Sequence, residues 1–156
     1  MPLSDRPVLI RADHREAHSG IPGLLQGLPG IAIQVEQLGL ADYVLSPRLA
    51  VERKSAADLA ASILDKRLFA QVEQLRSAYE RVVYLIEGAD LYGSSHLHPN
   101  AIRGALSYLA VLNNVAILRS DGPEDSALLL ATMARHEQQG LGYEVSNHLK
   151  RRSRAP

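Results

Sequence analysis

Cysteine is absent from this chain. That excludes a disulfide framework and any thiolate-held zinc, and it fits a reducing cytoplasm, where the chain is expected to work. No apolar run approaches the roughly 20 residues that a membrane helix needs. Met1 to Arg6 lacks the apolar stretch of a secretory signal, so no membrane role is expected. A Walker-type glycine-rich loop is missing too, and nothing points to ATP use. Lysine is scarce: of 17 basic residues only Lys54, Lys66 and Lys150 are lysines, and the rest are arginines, which suit bidentate phosphate contacts better. Net charge is zero, unlike the usual basic nucleic-acid binder, so any contact with a polyanion requires segregated charge.

What remains is an ordinary globular composition. The 156 residues are 46% hydrophobic and 22% charged, enough to bury one core. No repeat or internal linker interrupts them. One domain is expected over residues 1–139, followed by a basic C-terminal tail, 140–156. The run Lys150-Arg151-Arg152-Ser153-Arg154 in that tail reads either as a non-specific phosphate contact or as a flexible, solvated end.

Periodicity outlines the elements. Val8 to Ile10 reads as a buried strand and Ile21 to Leu28 as a short helix. Ile31, Ile33 and Val35 alternate with Ala32, Gln34 and Glu36 as a half-exposed strand. Tyr43 to Leu45 and Leu49 to Arg53 flank the turn-forming Ser46-Pro47-Arg48 and predict a hairpin. Ser55 to Tyr79 is helical through Leu59, Ile63, Val72, Leu75 and Tyr79, with Asp65-Lys66-Arg67 as an interruption or a joint. Val82 to Ile86 is apolar on both faces, as in a central strand covered by helices. Pro99 to Leu112 predicts a helix with Ile102, Leu106, Leu109 and Leu112 inward. Val115 to Leu118 predicts another buried strand, and a last helix runs from about Asp121 to Gln138. This order defines an α/β domain with a central mixed sheet flanked by helices on both faces.

Chemistry concentrates at the hairpin. Asp42 opens its first strand, and Glu52 and Lys54 lie two residues apart on the second, so both project from one face while Arg53 points away. The turn returns Asp42 beside Glu52. Two carboxylates and an ammonium then converge at one edge of the sheet. Phosphodiester hydrolysis calls for such a set: carboxylates hold a hard divalent cation, the cation offsets phosphate charge and lowers the pKa of water, and a lysine positions water or stabilises developing charge. The alternative is a solvated charge run that protects an edge strand from aggregation. Asp58 has two readings as well, as first-turn acid of a helix capped by Ser55 or as a group orienting the site. Asp13-His14-Arg15-Glu16 directly follows the first strand. Asp13 or Glu16 is placed to add a metal ligand and Arg15 a phosphate contact, unless the segment is simply a polar loop. His96, His98 and His136 read as loop and surface residues.

At these positions the chain resembles the XPF family of structure-specific nucleases, Hef nuclease domains among them. Ala41-Asp42 and Glu52-Arg53-Lys54-Ser55-Ala56-Ala57-Asp58 are similar to the family's Gly-Asp…Glu-Arg-Lys-x-x-x-Asp signature, with Ala41 in the glycine position. Similar stretches are Asp13-His14-Arg15-Glu16, Asp65 to Gln71, Leu85 to Gly88 and Asn100 to Leu106, so the likeness runs from about Val8 to Gln138. The resemblance implies a restriction-endonuclease-like core and Mg²⁺- or Mn²⁺-dependent cleavage of branched DNA, such as 3′-flaps and forks, in repair or recombination. It implies Asp42, Glu52 and Asp13 as metal ligands. Lys54, Glu16, Arg53 and Asp58 complete the catalytic set, and Arg15, Arg67 and Arg103 become DNA contacts. It further implies a homodimer through residues 100–113 and 123–138, and a helicase or other DNA-binding partner. A catalytically inactive scaffold subunit is the other outcome such a family allows, although Asp42, Glu52 and Lys54 are all kept.

Overall fold

The computed structural model describes residues 6–140. The basic tail therefore falls, apart from Gly140, outside the described residues. Six strands form one mixed sheet: β1 (Val8–Asp13), β2 (Ile31–Glu36), β3 (Tyr43–Val44), β4 (Leu49–Ser55), β5 (Arg81–Glu87) and β6 (Ala116–Ser120), in the order β2-β1-β3-β4-β5-β6. β1 pairs parallel with β2 and antiparallel with β3. The β3–β4 hairpin is antiparallel, and β4, β5 and β6 run parallel.

Each face carries its own core. Helices α1 (Ile21–Gln26) and α5 (Pro123–Gln139) pack Ile21, Leu25, Leu130 and Ala131 against Val8, Ile10, Val51, Val83 and Leu85. On the other face, α2 (Ala56–Leu64), α3 (Arg67–Ala78) and α4 (Pro99–Ser107) bring Leu59, Val72, Leu75 and Ile102 onto Ala50, Val82, Tyr84 and Ile86. The unbroken apolar run of β5 is thus explained: Val83 and Leu85 feed one core, and Val82, Tyr84 and Ile86 the other. The joint expected at Asp65-Lys66-Arg67 separates α2 from α3, with Lys66 left-handed at φ 65°. Ala41 is fully buried and keeps a negative φ, so the family's glycine position accepts alanine without backbone strain.

Several expectations are corrected. The hairpin strand β4 lies inside the sheet, between β3 and β5, not at an edge. Leu112 is 71% exposed. The segment Tyr108–Leu112 is a π turn, closed by Asn113 N–H on Tyr108 O at 3.1 Å, and the wider turn rotates Leu112 off the core-facing stripe while Leu109 stays buried. β6 is only partly buried because it is the last strand of the sheet. Leu9 on β1 and Val35 on the edge strand β2 are solvent-exposed.

Candidate active site

Strand alternation builds the floor of a cleft of about 370 Å³. Glu52 and Lys54 leave β4 on the α2–α3–α4 side, both buried, with Lys54 Nζ 3.3 Å from Glu52 Oε2. Asp42, one residue before β3, is held alongside: its N–H donates to Val51 O at 3.1 Å, and its Oδ2 accepts the Arg53 N–H at 2.8 Å. Burial, followed by the nearby charge of Glu52, pushes the Asp42 carboxyl up to about 8. Tyr84 pairs with Glu52 across the β4–β5 ladder. Burial, then the Glu52 and Asp42 charges, raises its phenol, and its buried Oη has no hydrogen-bond partner among the described residues.

Two walls enclose the floor. Arg15, Glu16 and His18 come from the segment after β1, with Gly39 and Leu40 beside them. Opposite stand Asp58 from α2 and Arg67, Gln71 and Gln74 from α3. The α3 residues follow a helical i, i+4, i+7 spacing and so present one polar stripe to the cleft. Asp58 is exposed at the mouth, and its N–H is capped by Ser55 Oγ at 3.0 Å; the capping and cleft readings therefore both describe its position. Arg15 and Arg67 are mostly exposed, each paired with a neighbouring acid, Asp13 and Asp65, at 2.7 Å.

The other expected site residues are distributed differently. Asp13 is buried and does not line the cleft. Its Oδ1 accepts the Leu38 N–H at 2.9 Å, and its Oδ2 accepts from Arg15 N and Nε. Burial would raise this carboxyl, yet those donors outweigh it and hold it at about 2. Arg53 also lines the cleft, and its guanidinium is clasped by Glu16 from the cleft wall and by Glu87 on the α1–α5 face. Arg103 lies away from the cleft, 5.0 Å over the Tyr92 ring and bonded to Asn100. His98 caps α4 through Nδ1, which accepts the Asn100 N–H at 3.0 Å. Sequence reasoning missed Tyr84, Gln71, Gln74 and Glu87. The stripe on α3 was there to be read once Arg67 was chosen. Glu87 lies in the family-like stretch Leu85 to Gly88, but its ion pair with Arg53, like the place of Tyr84 beside Glu52, depends on strand register.

Sheet, helices and charged cleft together define a domain with a restriction-endonuclease-like core. Residues 12–133 match the ERCC4 domain, and the chain belongs to the ERCC4 domain family. The 3′-flap repair endonuclease Xpf of Saccharolobus solfataricus is 37% identical over 150 residues, which are 95% of this chain and 63% of that protein. A Methanocaldococcus jannaschii protein that carries the name of an ATP-dependent RNA helicase is 36% identical over 136 residues, 87% of this chain and 16% of the relative. XPF from Aeropyrum pernix, solved in complex with DNA, superposes with a TM-score of 0.76 at 29% identity, covering 86% of this chain and 66% of that one. A further structure of XPF from the same organism gives 0.78, with 83% and 61% covered. This chain therefore spans less than two thirds of these two curated relatives.

Proposed function

We propose that the chain is a metal-dependent endonuclease that hydrolyses phosphodiester bonds in branched DNA, at 3′-flaps or fork-like junctions, in repair or recombination. The observation that carries this is the convergence of Asp42, Glu52 and Lys54 on the floor of one cleft in a member of the ERCC4 family. The S. solfataricus relative named for 3′-flap repair and the DNA complex of the A. pernix protein support the choice of substrate.

The cleft suits a small hard cation. Burial, followed by the charge of Glu52, drives Asp42 toward its protonated form, so a cation between the two floor carboxylates would be favoured. Among the described residues no three His, Cys, Asp or Glu side chains come together as a metal cage. Two carboxylates with water and substrate oxygens are the customary surroundings of Mg²⁺, and Mn²⁺ accepts the same donors. Asp42 and Glu52 would hold the ion; Asp13, with both oxygens engaged, shapes the Arg15 wall instead. When bound, the ion offsets phosphate charge and lowers the pKa of water. Lys54, kept beside Glu52, positions the attacking water or stabilises charge on the phosphoryl oxygens. Arg15 and Arg67 contact phosphates at the two walls, and Arg103 reaches DNA only where the duplex extends beyond the cleft.

The dimer reading also belongs here. Val111, Leu112 and Leu128 are exposed apolar residues on and between the elements 100–113 and 123–138, as a homodimer seam requires. The helicase name of the M. jannaschii relative supports a helicase or other DNA-binding partner. Among the described residues no helix is long and apolar enough to cross a membrane, and the absence of cysteine supports a cytoplasmic setting.

The test is cleavage of labelled duplex, 3′-flap, splayed-arm and single-stranded DNA with Mg²⁺, Mn²⁺ or EDTA, beside Asp42→Asn. Metal-dependent cutting, strongest at a junction and lost in the variant, is expected. Binding without cutting under every metal condition would replace this reading with that of a scaffold subunit.

A further inference from the structure

Arg53 stands between Glu52 and Lys54, yet its side chain leaves the sheet on the far face. Its N–H also donates to Asp42 Oδ2. The peptide that links the two β4 site residues thus aims the third, and whatever fixes Arg53 fixes all three. Glu16 grips Nε at 2.7 Å and Nη2 at 3.2 Å, and Glu87 takes Nη1 at 3.0 Å. The second oxygen of Glu87 accepts from Ser126 Oγ at 2.5 Å, and Ser126 Oγ lies 2.6 Å from Ser120 Oγ. Ser126 is fully buried in the first turns of α5, and Ser120 ends β6. One guanidinium faces two carboxylates here. The surplus negative charge lies beside the N-terminal end of α5, where the helix dipole favours it. A buried polar network with its members satisfied holds a single arrangement.

We infer that Glu87 and Ser126 are positioning residues: through Arg53 they set the angle of the Glu52–Arg53 peptide and hence the placement of Asp42, Glu52 and Lys54. The inference rests on the proposed role of those three residues. Neither Glu87 nor Ser126 lines the cleft. The consequence is that the start of α5, on the face of the sheet opposite the cleft floor, and the central strand β4 move as one unit.

The test uses the full chain with Ser126→Thr, Ser126→Val and Glu87→Gln. Thr and Val add the same bulk, and only Thr keeps the hydroxyl; Gln keeps the shape of Glu. Three quantities are measured below the unfolding temperature of each variant: single-turnover cleavage, DNA affinity in EDTA, and Mn²⁺ affinity without DNA. Val and Gln should lose about 10–100-fold in cleavage and weaken Mn²⁺ binding, as partners behind metal ligands do. Thr should stay near the wild type, and DNA affinity in EDTA should be unchanged throughout. Val matching Thr in both rate and Mn²⁺ affinity overturns the inference. A wild-type chain that cuts no DNA removes the proposed activity, and the Val–Thr difference in Mn²⁺ affinity still decides the positioning role.

Discussion

Asp42→Asn should stabilise the metal-free protein while abolishing cleavage. The Asp42 carboxyl titrates ordinarily at 3.8 and is pushed to about 8 in the fold by burial and by Glu52. Between those values the native state binds the proton more tightly than the unfolded chain does. Stability therefore falls as pH rises through the window, and the penalty is complete above pH 8. At about 1.4 kcal/mol per pKa unit the ceiling is roughly 6 kcal/mol. The cleft mouth admits solvent, which screens the charge, so about 2–3 kcal/mol is the working figure. Asparagine carries no charge in either state, and its side-chain oxygen can still accept the Arg53 N–H that Asp42 accepts at 2.8 Å. The assay is urea unfolding in EDTA at pH 4, 6 and 8.5. The variant should match the wild type near pH 4 and exceed it by about 2–3 kcal/mol at pH 8.5. Mn²⁺ at about a hundred times its Kd should raise the wild type alone by about 2.7 kcal/mol and close the gap. A variant no more stable than the wild type at pH 8.5, or a gap that ignores pH, would refute the account of charge crowding at the floor.

Lys54→Ala removes the ammonium 3.3 Å from Glu52; cleavage should fall about 10²–10³-fold, with oligomeric mass unchanged in light scattering. Arg67→Ala should weaken binding to all DNA sequences alike and lower the slope of log affinity against log salt by about 0.9, as the loss of one phosphate contact does; an unchanged slope rejects that contact. The pair Val111→Glu and Leu112→Glu changes residues 74% and 71% exposed, so the fold should melt as before. Sedimentation should then show a monomer for the variant and a dimer for the wild type, and a variant dimer that persists places the seam elsewhere.

The layered α/β order and most element positions were readable because long apolar periodicities survive in one dimension. The same reading brought Asp42, Glu52 and Lys54 together, since a short hairpin leaves little freedom in register. Strand order was another matter. Glu52-Arg53-Lys54 looks like the charge pattern of an exposed edge, because sequence records the polarity of a residue and not what neutralises it. Here the neutralising partners come from far along the chain: Glu16 is 37 residues away and Glu87 is 34. Leu112 failed for a different reason. One π turn shifts the helical phase, and the residues on either side carry no sign of it. Asp13 ends β1, as its place after the first apolar run implies, but the engagement of its two oxygens by Leu38 and Arg15 leaves no mark in the local sequence.

Placing three charged residues inside a sheet costs desolvation that an edge strand would largely avoid. The interior position supplies something an edge cannot, a neighbouring strand on each side. The antiparallel neighbour β3 returns the chain within a tight turn and so brings Asp42 level with Arg53. The parallel neighbour β5 brings Glu87 to the far side of the same arginine. A parallel pair also demands a crossover, and here the crossover is α2 and α3, which must pack on one face of the sheet. That face is the one from which Glu52 and Lys54 project, so Arg67, Gln71 and Gln74 become the cleft wall as a consequence of the connection itself. The hairpin makes the floor, the crossover makes the wall, and the alternation of a single strand sends the Glu52 and Lys54 side chains to one face and the Arg53 guanidinium toward Glu16 and Glu87.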